Sequence, residues 1–353
     1  MAIFPRIKVA LKKTGYPAEG KKMLRLDTNK PFRPIRGALM AMLLGCMASL
    51  TVLADYQDPL DSPALIKTAA ARSLLLDVAQ AGERLVAIGA RGHILTSDDQ
   101  GQSWTQQPSP VRAHLTAVYF VDADNGWIVG ADGLILHSGD GGISWTKQFD
   151  DRDADLKGPL LDVYFSSPDN GFAVGVYNKF YRTHDGGKRW QIAQDRVDNP
   201  DEWHLISIAV SSDKRYVTSE MGLLFVSEDG GESFSPLQTD HTGSFHGILS
   251  RETTEGMDQL VLFGVGGKLF TSLDGGDSWN EIDTGTTAGL SGGTWLADGG
   301  VMLVGADGVL LRGNADLSQW RTEFTDNGLP LTSVTELNNK KILTGIGGTQ
   351  VIE

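Results

Sequence analysis

The chain has 353 residues, 41% hydrophobic and 21% charged, a balance that excludes a disordered or collagen-like polypeptide. Its 31 Lys and Arg against 44 Asp and Glu give a net charge of −13, which argues against a nucleic-acid binder, since phosphates demand clustered cations. A single cysteine, Cys46, excludes a disulfide framework, and 43 glycines favour many turns over long helices.

The first 54 residues differ from the rest. They hold ten Lys or Arg and two acids, and end in an unbroken apolar run, "GALMAMLLGCMASLTVLA", Gly37 to Ala54. A basic segment, an apolar core and a small-residue end form the pattern of an export signal. Val52-Leu53-Ala54 suits cleavage before Asp55. "LLGC" at 43–46 resembles a lipobox with Cys46 as the acylated residue, although the residues after it stay apolar. An uncleaved anchor is a third reading, because 18 apolar residues reach the lower range for a membrane span. A start at Met23 leaves a conventional basic region. The expected location is exported: periplasmic or lumenal, free or tethered. Without residues 1–54 the net charge is −21, which argues against docking on anionic lipid through a basic surface.

From Leu60 to Ala71 the chain is expected to form the outer strand of a last sheet, for the reason given below. After it an eight-residue word recurs: "SDDQGQSW" at 97–104, "SGDGGISW" at 138–145, "THDGGKRW" at 183–190, "SEDGGESF" at 227–234 and "SLDGGDSW" at 272–279. The closing aromatics, Trp104, Trp145, Trp190, Phe234 and Trp279, are 41, 45, 44 and 45 residues apart, and a further 41 lands on Trp320. Each repeat carries two apolar runs separated by a turn, as in "HLTAVYFVDADNGWIVGADGLILHS" at 114–138. Asn125-Gly126 there, and Asn170-Gly171 in the next repeat at 159–183, read as hairpin turns with positive φ. Each unit thus reads as four short antiparallel strands, with the word joining the third to the fourth.

Four strands every 40–45 residues is the arithmetic of a β-propeller blade. The fold class is all-β, a seven-bladed propeller of four-stranded antiparallel blades over 55–353. The blades fall near 73–107, 114–149, 159–194, 203–238, 245–283 and 288–324. The last, 331–353, shows three strands, and about 60–71 is expected to complete it and close the ring. Within the words, Asp99, Asp140, Asp185, Asp229 and Asp274 accept hydrogen bonds from their own turn. Gly101, Gly142, Gly187, Gly231 and Gly276 supply positive φ, and the aromatic packs between blades. Five scattered copies form no catalytic pocket, so the word is structural.

The word S-x-D-x-G-x-[ST]-[WF] resembles the Asp-box, or bacterial neuraminidase repeat. Four copies match fully, and 183–190 departs at Thr183 and Arg189. Together with the phrase "DNGW.VG..G.I..S.DGG..W", the sequence over 73–353 is similar to the photosystem II stability/assembly factor family of propellers. The resemblance implies a non-enzymatic scaffold or accessory factor that supports an integral membrane complex. The partner it implies is a photosystem or, in a bacterium without photosynthesis, an exporter of the resistance-nodulation-division type.

Sialidases also carry Asp-boxes, so a sialidase-like glycoside hydrolase is the alternative. That chemistry needs three convergent arginines, a Tyr nucleophile backed by Glu, and an acid Asp. The hairpin turns on the face opposite the Asp-boxes are read as Arg91-Gly92, Asp132-Gly133, Asn178-Lys179, Met221-Gly222, Gly266-Gly267, Asp307-Gly308 and Gly347-Gly348, with one Arg among them. Asp151-Arg152-Asp153-Ala154-Asp155 alternates acids like a calcium loop, but Leu156 stands where an EF-hand wants Gly and Asp162 where it wants Glu. The histidines show no ligand spacing. No catalytic residue, cofactor or metal is expected, and the chain is read as monomeric by itself. The hairpin-turn face remains as a partner surface. Arg91, His93, Tyr177, Asn178, Lys179, Trp203, His204, Glu220, Phe245 and His246 are the residues there that suit a protein hot spot or half-buried rim packing.

Overall fold

The computed structural model describes residues 57–211, 213–253 and 256–352; the expected signal or anchor lies outside them. Seven antiparallel sheets follow one another, spanning 75–107, 115–149, 160–192, 208–238, 245–281, 290–324 and 331–352. Six have four strands in up-and-down order and the seventh has three. Blade 1 sets the pattern with β1 (Leu75–Ala81), β2 (Arg84–Gly89), β3 (Ile94–Ser97) and β4 (Thr105–Gln107). No α-helix occurs among the described residues.

The second strand of each blade explains the architecture. "LVAIG", "GWIVG", "GFAVG" and "VMLVG" are buried at every residue. A strand apolar on both faces needs cover on both, and only neighbouring blades provide it. The core is accordingly seven separate layers, each shared by two adjacent blades. Val86 and Ile88 meet Leu115 and Ile128 between blades 1 and 2. The last layer brings Leu337 and Ile342 of blade 7 against Leu75, Leu85 and Trp104 of blade 1.

The Asp-boxes fasten these layers. In all five the leading hydroxyl donates to the Asp carboxylate at 2.7–3.0 Å and accepts the backbone N–H of the fifth residue, a glycine, at 2.8–2.9 Å. The carboxylate accepts the backbone N–H of the seventh residue at 2.9–3.0 Å. Hydrogen bonds from Ser103 and Ser278 hold Asp99 and Asp274 down at about 2. Each turn then presses on the preceding blade. A Cβ on Gly142 would stand 2.8 Å from Val86 of blade 1, and one on Gly101 would stand 3.0 Å from Val351 of blade 7. The aromatic sits edge-on to rings of its layer, as Trp145 does to Phe120 and Trp190 to Phe165.

Two expectations are corrected. Asn125-Gly126 and Asn170-Gly171 do not have positive φ. The Asp122 carboxylate caps the first of these turns, accepting N–H groups of Asp124 and Asn125 at 2.9 and 2.6 Å. The glycine serves a close approach instead: a Cβ on Gly126 would lie 2.3 Å from the Phe120 ring, and one on Gly171 2.6 Å from Phe165. Second, residues 60–71 do not pair with blade 7. They form a strap along the outside of blade 1, where Ala64 N–H donates to Ser109 O at 3.1 Å and Arg112 N–H to Pro59 O at 2.7 Å. Pro59 and Pro63 cannot donate to a ladder, and Asp58 and Asp61 are drawn to Arg152 and Lys147. Only Ala70–Arg72 reaches blade 7, beside Gly348.

First strands line a central channel of about 200 Å³. Two of its acids clamp neighbouring blades. Asp77 accepts N–H groups of Val78 and Val118 at 2.8 and 2.9 Å, and Asp162 those of Val163 and Ile208 at 2.8 and 2.7 Å. Burial outweighs these bonds and pushes Asp162 from 3.8 up to about 7, with the nearby Asp77 adding to the rise.

Two outcomes follow from this architecture. Trp145→Ala removes a ring buried between blades 1 and 2 and should cost about 3–5 kcal/mol in urea unfolding. Asp162 ionises less readily in the folded than in the unfolded chain, so its contribution to stability is complete below about pH 4 and is lost as pH rises towards 7. The melting temperature of Asp162→Asn should therefore fall less steeply than wild type across that range, whatever its absolute value.

Candidate binding face

On the face opposite the Asp-boxes, each blade presents the hairpin between its second and third strands. In blades 1 to 6 the tip residue takes left-handed backbone: φ is 60° at Arg91, 52° at Asp132, 56° at Tyr177, 55° at Met221, 66° at Gly266 and 56° at Asp307, whereas blade 7 turns at Ile346-Gly347, one residue before the expected Gly347-Gly348, with neither residue at positive φ. Glycine and aspartate visit this region readily; bulky side chains seldom do. In blade 3 the left-handed pair is Tyr177-Asn178, one residue before the expected Asn178-Lys179. Tyr177 and Met221 are nonetheless 44% and 49% exposed, so two large apolar side chains stand in solvent on strained backbone at neighbouring blades.

The loop between blades 3 and 4 supports them. Asn199 accepts the N–H of Trp203 at 3.1 Å and donates to Trp203 O and to Asn178 Oδ1 at 2.8 and 3.0 Å. His204 then lies edge-on to Tyr177, ring centroids 4.9 Å apart, and its Nδ1 is 3.4 Å from Glu220. Glu220 also accepts the His204 backbone N–H at 3.1 Å. The structure thus gathers Tyr177, Asn178, Trp203, His204 and Glu220 in one place. Val265, in the hairpin of blade 5, and Leu156, in the loop before blade 3, are also exposed. Sequence reasoning did not single out Met221, Val265 or Leu156 as exposed apolar residues; Met221 stood in a hairpin tip it had already recognised.

The other expected residues lie elsewhere. Arg91 is exposed, but at the tip of blade 1. His93 is buried, with Nδ1 2.8 Å from Ser73 Oγ, and burial lowers its pKa with Lys67 and Arg91 adding to the effect. Phe245 is fully buried in the layer between blades 4 and 5. His246 lines the channel, Nδ1 3.0 Å from Leu290 O. Lys179 is buried, ion-paired to Asp151, which also accepts from the Tyr181 hydroxyl at 2.9 Å. His93 and Lys179 follow a hairpin tip, at the start of a third strand, whereas Phe245 and His246 open the first strand of blade 5, where consecutive residues face the interblade layer and the channel.

The same pair accounts for the calcium-like loop. Asp151 is committed to Lys179, while Arg152 binds Asp150, Asp58 and Asp61. Among the described residues no group of three acids, histidines or cysteines is placed to hold a metal. The residues lining the channel include Asp77, Asp162, His246 and hydroxyls but no arginine, so the three-arginine arrangement of a sialidase is not formed there. The signal for Asp77 and Asp162 was available in sequence, as "LLDV" occurs in the first strand of blades 1 and 3.

Removing Lys179 would leave a buried carboxylate uncompensated. Lys179→Met should cost about 3–5 kcal/mol, and Lys179→Met with Asp151→Leu should recover much of it in the same denaturation measurement.

A family model described as photosynthesis system II assembly factor YCF48 matches residues 66–152 and 146–250. Among solved structures, YCF48 bound to D1 peptide is 20% identical, with a TM-score of 0.65, covering 84% of this chain and 97% of its own. YCF48 from Cyanidioschyzon merolae is 15% identical with a TM-score of 0.64, covering 82% and 98%. The WD40 propeller domain of Doa1 is 12% identical with a TM-score of 0.59, covering 83% and 96%. No curated protein matches the chain.

Proposed function

Because the chain belongs to the photosynthesis system II assembly factor YCF48 family, we propose that it is a non-enzymatic binding scaffold that engages a segment of an integral membrane protein of a photosystem and supports assembly of that complex. The relative bound to a D1 peptide supports D1 as the first partner to test. Nothing in the comparisons points to an exporter of the resistance-nodulation-division type or to a sialidase. On this reading the basic and apolar residues 1–54 export or tether the propeller, which works in a periplasm or lumen.

One observation carries the choice of surface: Tyr177 and Met221 are exposed on left-handed backbone, side by side with His204 and Glu220. Backbone strain at an exposed apolar side chain has no stabilising return within the chain and is characteristic of binding sites. An aromatic ring ringed by polar groups suits a hot spot for a protein segment.

Overlapping D1 peptides titrated against the full chain test this. Wild type should bind at least one, and Tyr177→Gly with Met221→Gly should weaken it about tenfold or more. The double variant should melt no lower than wild type, because glycine relieves the positive φ. Failure of every D1 peptide to bind would remove D1 as the partner.

A further inference from the structure

Among the described residues blade 7 has no fourth strand, and the consequences are local. In blades 1 and 5 the third strand is buried at every residue. In blade 7 the third strand, Gly348–Ile352, is buried only at Gly348, and Val351 and Ile346 are 36% and 52% exposed. The register explains which groups are left open. Gly345 and Gly348 close the hairpin, so hydrogen-bonded pairs alternate from there and Thr349 and Val351 direct their backbone N–H and C=O outward. In blades 3 and 5 the equivalent outward carbonyl receives the fourth strand, from Ala193 N to Phe180 O and from Ile282 N to Leu269 O, both at 2.9 Å. Thr349 is the corresponding residue of blade 7.

A second feature of the same place is independent of the edge. In three of the five Asp-boxes the first turn glycine offers its carbonyl to the preceding blade, whereas in the box against blade 3 Gly230 O has no such donor among the described residues. Gly141 O accepts from Arg84, Gly186 O from Gln148 and Gly275 O from Tyr216, at 3.2, 2.8 and 3.2 Å. Gln148 belongs to the outer strand of blade 2. In the Asp-box that abuts blade 7 this residue is Gln100, in left-handed backbone at φ 61°, and its carbonyl has no such donor among the described residues. Among the described residues the outward backbone groups of Thr349 and Val351 and the Gln100 carbonyl have no hydrogen-bond partner.

We infer that the outer edge of blade 7 is a strand-addition site that takes an extended segment of another polypeptide as its fourth strand. The chain's own strap is excluded as occupant, since residues 58–67 are fastened to blade 1, to the outer strand of blade 2 and to the loop after it by Ser109, Gln106, Lys147 and Arg152. A second copy is disfavoured by mutual repulsion of chains carrying −13 each. Charge indicates the occupant: Arg72 stands exposed beside Gly348, and Lys340 is partly exposed beyond Lys341, which pairs with Ile352. The segment that fits is therefore extended, with acidic residues at its ends and an apolar residue to cover Val351. Main-chain bonds supply affinity in such additions and alternate side chains supply selectivity. This site is at the opposite side of the ring from Tyr177 and does not depend on D1 as partner.

The test uses a fluorescent peptide of residues 319–326, "QWRTEFTD", which contains the fourth strand of blade 6 and ends in an acid. Its anisotropy should rise on titration with the full chain, and its binding should protect the amides of Thr349 and Val351 from hydrogen exchange. Val351→Pro removes an outward N–H while keeping the inward ladder, and should weaken the peptide about tenfold or more. Val351→Lys, which keeps the backbone, should weaken it less and controls for misfolding through its melting temperature. No binding, or binding indifferent to Val351→Pro, overturns the inference. A photo-crosslinker at position 351 that joins to residues 1–56 of the same chain, or to a second copy, also overturns it. Loss of D1 binding in the Tyr177 variant leaves it standing.

Discussion

Every level of this molecule depends on the contact between one blade and the next. No blade has a core of its own. A strand such as "GWIVG", buried at each residue, has nowhere to place one of its faces until a neighbour arrives, and the neighbour has the same need. A row of such sheets must bend into a ring, because a ring alone leaves no apolar face uncovered. The layer between Leu337, Ile342 and Leu75 is the last of seven and closes the circle by packing.

That constraint divides the molecule into a fastened face and a free one. On the Asp-box face the hydroxyl, carboxylate and glycine of each word are consumed by hydrogen bonds within the turn, and the turn is consumed by its contact with the preceding blade. On the opposite face the hairpins emerge from rigid strands and make few demands on their tip residues, so the tips can vary from Gly266 to Tyr177 without disturbing the layers beneath. A family can keep the ring and change the tips, which is how one fold supports different partners. The ion pairs of Asp58 and Asp61 with Lys147 and Arg152 hold the strap outside this arrangement, against blade 1, the outer strand of blade 2 and the loop that follows it.

The channel shows the same economy in a different chemistry. Asp77 and Asp162 look like a pair of functional acids in sequence and in position. Their hydrogen bonds say otherwise: each joins a first strand to the first strand of the following blade. Where other blades use Thr116 or Thr332 to reach a neighbouring carbonyl, these two use a carboxylate to reach a neighbouring N–H. The raised pKa of Asp162 is the cost of putting that charge where water is scarce.

The ring was legible in the sequence because it is built from repetition. Aromatics every 41–45 residues and an Asp-box with a defined turn are local signals, and local signals survive in a string of letters. Even the misread Asn125-Gly126 turn fell in its proper place, although its glycine serves the Phe120 ring rather than a positive φ. What the string could not decide was which residues meet across the ring. Lys179 and Tyr177 are two positions apart, one buried on Asp151 and the other in solvent, because Tyr177 stands in the left-handed turn outside any strand while Lys179 opens the third strand of blade 3. The strap could not be placed either. Its prolines excluded a central strand, but its position on blade 1 follows from Lys147 and Arg152, some ninety residues away in sequence. Local patterns determined the blades; only contacts between distant residues, which exist once the ring is closed, decided the edges, the strap and the face.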